Sequence, residues 1–92
     1  MEHLSNIFLA LSDPTRRKIV GCLRKRDMTP TELLARIDAT QPTLSHHLDI
    51  LKRAGLVEGT REGQFIRYAL NMSVLDMAIE FMMANRKKEK PK

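Results

Sequence analysis

Thr40-Gln41-Pro42-Thr43-Leu44-Ser45-His46-His47-Leu48-Asp49-Ile50-Leu51-Lys52-Arg53-Ala54-Gly55 reads as one helix with two unlike faces. Leu44, Leu48 and Leu51 recur at i, i+4 and i+7 and make an apolar stripe. Gln41, Thr43, Ser45, His46, Asp49 and Lys52 are left on or near the other side. A merely solvated helix face usually carries long Glu/Lys pairs. Hydroxyl, amide and imidazole groups are instead what the base edges of a major groove can pair with. Thr40 can cap the helix, Pro42 suits its first turn and Gly55 suits a left-handed stop. The pattern is that of a recognition helix.

Upstream, Thr29-Pro30-Thr31-Glu32 is a capping box with proline at the first helical position. It opens a helix through Leu33, Leu34 and Ile37, and Asp38-Ala39-Thr40 is a short turn into the next. Two short helices joined in this way make a helix-turn-helix over about 30–54, although the usual glycine is missing from the turn. Further back, Ser12-Asp13-Pro14 stops one helix and starts another, with Asp13 as cap. The helix before it, about 3–11, is amphipathic through Leu4, Ile7, Phe8 and Leu11. The one after it turns Ile19, Val20 and Leu23 inward and carries Arg16, Arg17 and Lys18 in its first turns, where cations oppose the helix dipole. Gly21 within it costs about 1 kcal/mol relative to Ala, which suggests close packing at that point.

Downstream the period changes. Leu56-Val57 and Phe65 to Leu70 read as strands, with Gly59 and Glu62-Gly63 marking the turn between them. A hairpin directly after a recognition helix is a wing, about 56–70, with Arg61, Glu62 and Gln64 at its tip. Asn71 to Ser73 cap a last helix, about 74–87, in which Val74, Leu75, Met77, Ala78, Ile79, Phe81, Met82 and Met83 cover more than one face. That is more apolar surface than so small a domain can hide. It implies a subunit interface built from Leu4, Ile7 and Phe8 of the first helix and Leu75, Ile79, Met82 and Met83 of the last. The fold class expected is therefore mainly α with a small β-hairpin: a winged helix-turn-helix of about five helices and a two-stranded wing. It forms one domain over residues 1–92 with a basic tail at 86–92.

Composition narrows the function. The net charge of +5 comes mostly from the tail. Of 16 Lys and Arg and 11 Asp and Glu, five cations and Glu89 lie in 86–92, which leaves eleven cations against ten acids in the rest. Net charge alone is thus weak evidence for nucleic acid, and the case rests on the helix. No run approaches the roughly 20 apolar residues of a membrane span. No basic and apolar leader opens the chain, and a single Cys22 cannot form an internal disulfide, so a cytoplasmic protein without membrane insertion is expected.

The order of elements, with Ser12-Asp13-Pro14-Thr15-Arg16, Pro42-Thr43-Leu44-Ser45-His46-His47-Leu48, Leu51-Lys52 and Gly63-Gln64, resembles the ArsR-type (ArsR/SmtB) winged helix-turn-helix repressors over about residues 4–83. Within them it looks most like the compact autorepressors of the sporulation-delaying type, which lack a metal site. The resemblance implies a homodimer of five helices and two strands per chain, reading an inverted repeat in double-stranded DNA and blocking transcription. Many such proteins sense metals, and their ligands are not found here. Leu33 to Ile37 holds no Cys or His, and the last helix offers only Asp76 and Glu80. Adjacent His46 and His47 point about 100° apart and cannot chelate together. Cys22, alone on an otherwise apolar face, reads as a small core residue. No metal and no cofactor is expected.

Nor is an enzyme: Ser45 and His46 diverge on the helix, no carboxylate is placed to orient an imidazole, and no glycine-rich phosphate loop occurs. DNA binding is assigned to Gln41, Thr43, Ser45 and His46, with Lys52 on phosphate and Arg61 and Gln64 on backbone or minor groove. The alternatives are a dimeric protein-interaction module on the same fold and a metal- or redox-responsive sensor of the same family. What releases the DNA is left open between a protein anti-repressor, a small molecule at the dimer interface and dilution.

Overall fold

The computed structural model describes residues 2–87, so that of the basic tail Lys88 to Lys92 lie outside the described residues. Five helices and one hairpin follow in the order α1 (Glu2–Ala10), α2 (Pro14–Lys25), α3 (Pro30–Leu34), α4 (Gln41–Arg53), β1 (Val57–Glu62), β2 (Phe65–Leu70) and α5 (Met72–Ala84). This is the winged helix-turn-helix.

Local chemistry sets the boundaries. Asp13, Thr29, Thr40 and Asn71 cap α2, α3, α4 and α5, each accepting a backbone N–H three residues on. At Thr29 the capping box closes in both directions. Gly55 ends the α4 region at φ +79, the left-handed conformation that glycine adopts without strain. α3 is shorter than expected. It stops at Leu34, and Ile37 reaches the core from the irregular turn that follows.

The wing also differs from the sequence reading. β1 runs through Glu62, so Gly59 lies mid-strand and the loop is Gly63-Gln64 alone. Gly63 has φ +61 at the first central position, the placement of a type II′ hairpin turn. Gly59 pairs with Tyr68, and a Cβ there would come within 2.8 Å of Ile66 Cγ2 and 3.2 Å of Tyr68 Cε1. The glycine therefore lets those two side chains lie across β1. Met28 bridges to Tyr68 through both backbone hydrogen bonds and ties the root of the wing to the segment between α2 and α3.

One core joins every element. Ile7 and Ala10 of α1, Ile19 and Leu23 of α2, Leu33 of α3, Leu44, Leu48 and Leu51 of α4, Leu56 and Val57, and Ala78 of α5 are buried together. Burying each leucine of α4 contributes about 1.5–3 kcal/mol, so the apolar stripe of that helix holds it firmly to the core. Two expectations are corrected here. Ile7 does not face a partner: it is 0% exposed within its own chain. Gly21 does not mark a close approach, since a Cβ at that position would meet nothing within 4 Å.

Candidate nucleic-acid interface

With Leu44, Leu48 and Leu51 buried, the 3.6-residue period turns Gln41, Thr43, Ser45, His46, Asp49 and Lys52 outward, and all six are exposed. Among the described residues Gln41, Ser45 and His46 have no side-chain hydrogen bond. Thr43 accepts from the Thr40 hydroxyl at 2.9 Å, which leaves its own hydroxyl proton to donate. The first turns of α4 thus present the Gln41 amide, the Ser45 hydroxyl and the His46 imidazole without a side-chain partner among the described residues, and the Thr43 hydroxyl with its proton still to donate. Asp49 is paired with Arg53 at 2.9 Å, an i, i+4 contact that removes its charge from that face. Lys52 has no acidic partner among the described residues.

His46 and His47 behave differently although adjacent. His47 turns inward, its side chain 12% exposed, and its Nδ1 accepts from Arg16 Nη1 at 3.2 Å. Arg16 also donates to the carbonyls of Ala10 (2.6 Å) and Leu9 (3.2 Å), and its backbone N–H donates to Asp13. One guanidinium thus closes the C-terminal end of α1 and reaches the reading helix. Asp13 Oδ2 stands 3.9 Å from His47 Nδ1. The Asp13 carboxyl is held below its ordinary value first by the Arg16 N–H. Sequence reasoning set His46 and His47 about 100° apart but missed this link. Its only signal was an arginine in the first turn of a helix, where the dipole disfavours it.

A second junction orients the wing. Glu32, inside the Thr29 box, takes Arg26 at 2.9 Å and Arg67 of β2 at 3.2 Å, and Arg67 also reaches Glu62 at 3.0 Å. The Thr29 N–H first, and then Arg26, hold the Glu32 carboxyl down at about 2, while Glu62 raises Arg67. Arg67 therefore belongs to the frame. Arg61 lies on the opposite face of the hairpin, across from Ile66, and is exposed with no acidic partner among the described residues. Gln64 occupies the loop beside it. Phe65 and Ile66, 56% and 40% exposed, add an apolar wing tip that the strand pattern did not signal.

The described cations thus divide into those tied to acids (Arg26, Arg53, Arg67), those tied to carbonyls at the end of α1 (Arg16, Arg17), and those without acids, Lys52 and Arg61 among them. Among the described residues no three His, Cys, Asp or Glu side chains stand together as metal ligands, and no helix is long and apolar enough to cross a membrane. Cys22 is half-buried against the core rather than fully inside it.

Comparison with known proteins agrees with this geometry. A family model described as a helix-turn-helix domain matches residues 11–60. The chain is 45% identical over 80 residues to the transcriptional repressor SdpR of Bacillus subtilis, covering 87% of this chain and 89% of that one. It is 37% identical over 75 residues to the arsenical resistance operon repressor of Staphylococcus xylosus, covering 82% and 72%. Among solved structures, an ArsR-like transcriptional regulator from Rhodococcus sp. RHA1 superposes with a TM-score of 0.82 at 30% identity, covering 90% of this chain and 78% of that one.

Proposed function

Because the chain belongs to the ArsR-type family of winged helix-turn-helix transcriptional repressors and is a DNA-binding regulator, we propose that it acts as a homodimer on an inverted-repeat operator, reading bases with Gln41, Thr43, Ser45 and His46. The observation that carries the base-reading assignment is the exposed first turns of α4, where Gln41, Ser45 and His46 have no side-chain partner among the described residues and Thr43 keeps its hydroxyl proton to donate. N-terminal residues of a recognition helix lie deepest in the groove. Lys52 serves on phosphate, and Arg61 and Gln64 on backbone or minor groove beside it.

The dimer is supported by α5. Its outward positions include Met77, Ile79, Met82 and Met83, between 40% and 62% exposed, and Leu9 of α1 is 65% exposed. Phe81 packs edge-on against Phe8 at 5.8 Å, joining the two terminal helices into one surface. With Ile7 internal, the interface is drawn from Leu4, Phe8, Leu75, Ile79, Met82 and Met83, with Leu9 added. Leu4 and Phe81 border an open apolar groove of about 340 Å³ between α1 and α5, which a partner's side chains fit. A two-fold axis there sets two recognition helices about one DNA turn, roughly 34 Å, apart.

No inorganic effector is assigned. One thiol and no thiolate pair on α3 leave the donor set short of a tetrahedral site, so zinc, cadmium or arsenite added to the complex should leave DNA affinity unaltered. The deciding experiment is selection of bound fragments from the source genome. It should return a palindrome whose half-sites are centred about 10 base pairs apart. Recovery of single half-sites with full affinity would overturn the dimeric reading.

A further inference from the structure

Helix α2 carries five cations, Arg16, Arg17, Lys18, Arg24 and Lys25, and no acid in its 12 residues. Two have a use inside the chain, since Arg16 and Arg17 donate to the Leu9, Ala10 and Leu11 carbonyls at the end of α1. The other three reach no acid among the described residues. Lys18, Arg24 and Lys25 instead border an open cleft of about 360 Å³, where Arg36 joins them from the turn after α3. The Arg36 guanidinium donates to the Glu32 carbonyl at 3.1 Å and is otherwise unspent. Among the described residues no carboxylate lines the cleft. Gly21 lines it too, with no neighbouring atom within 4 Å of where a Cβ would stand.

Four like charges gathered on one concavity repel one another and raise the local concentration of anions. Two lysines supply mobile point charges and two arginines supply planar forks, a donor set suited to the several oxygens of a phosphate group. We propose that this α2 cleft is a binding site for a phosphate-bearing anion, separate from the reading face of α4. The phosphate comes either from a free phosphorylated ligand or from DNA backbone beyond the operator. Only the second source rests on the function proposed above.

The test uses the full chain and a Lys18→Gln/Lys25→Gln variant, both positions being exposed. Inorganic pyrophosphate titrated into the wild type should shift the amide resonances of Lys18 to Lys25 and Arg36 saturably, and the variant should lose at least about tenfold in affinity, two charge-assisted contacts being removed. In a second arm, the selected operator is compared with the same operator extended by about one turn at each end. If the phosphate is that of DNA, the variant weakens only on the extended duplex, and its slope of log affinity against log salt flattens there by about 1.8. Saturable pyrophosphate binding at the cleft, or a loss confined to the extended duplex, sustains the proposal. Absence of both effects overturns it, including the case in which the two duplexes lose affinity equally. Failure of the wild type to bind the trimmed operator would count against the reading of α4 and leave the pyrophosphate arm to judge the cleft.

Discussion

Helices α4 and α5 are both 13 residues long, and the chain treats them in opposite ways. α4 buries three leucines and turns amide, hydroxyl, imidazole and charged groups outward. α5 buries only Ala78 completely and leaves Met77, Ile79, Phe81, Met82 and Met83 at 40–62% exposure. A helix apolar beyond one stripe belongs inside something larger. Within one chain α4 covers its apolar stripe and α5 does not, which is the asymmetry the proposed DNA-reading and dimer roles rest on. Ile79→Glu should separate the two roles most sharply. It should yield a monomer by sedimentation at micromolar concentration and abolish tight operator binding, with α4 untouched. A wild-type monomer under the same conditions would break the comparison, and the palindrome with it.

The reverse substitution is gentler. Gln41→Ala and Ser45→Ala should each weaken specific binding by about 1–3 kcal/mol, the worth of a good base contact. Thermal stability and dimerisation should stay at wild-type values, because neither side chain has a hydrogen bond among the described residues. If operator affinity were unchanged in both, the polar face of α4 would be a solvated surface after all.

Smaller still are the phosphate contacts. Lys52→Ala and Arg61→Ala should each weaken specific and non-specific DNA alike, lowering the salt slope by about 0.9 per charge removed. A change in which sequence Arg61→Ala prefers would show the wing reading bases, and α4 would no longer be the only reading element.

The contrast between the helices explains what could be read in advance. Periodicity and caps are local, and Leu44, Leu48, Leu51, Asp13, Thr29, Thr40 and Asn71 do in the fold what their spacing implies. The excess apolar surface of α5 was legible for the same reason. Ile7 was not, because an amphipathic stripe on α1 does not say whether its own chain or another covers it. Gly59 looked like a turn because its requirement comes from Ile66 and Tyr68, seven and nine residues away on the other strand. The Arg16–His47 bond spans 31 residues and the Glu32–Arg67 pair 35. No window of sequence contains either, so the frame that aims the reading head emerges only with the fold.

That frame yields the last and smallest effect, which should touch the α4 side of the molecule and spare α5. Glu32 gathers Thr29, Arg26 and Arg67 at the start of the helix-turn-helix, whereas no side chain of α5 forms an ion pair among the described residues. The Glu32 carboxyl sits at about 2 when folded against an ordinary value of 4.5. A carboxylate depressed by folding stabilises fully above its unfolded value and loses that contribution as pH falls toward the folded one. Glu32→Gln should therefore lower the denaturant midpoint relative to wild type at neutral pH. The gap should begin to narrow below about pH 4.5 and close near pH 2, with dimer affinity unchanged by the variant at neutral pH. Glu32 is a surface group, so solvent screening keeps the shift modest. A gap that stayed constant from neutral pH to pH 2 would mean that Glu32 contributes shape and not charge. The wing would then be held by the Met28–Tyr68 bridge instead of its ion pairs.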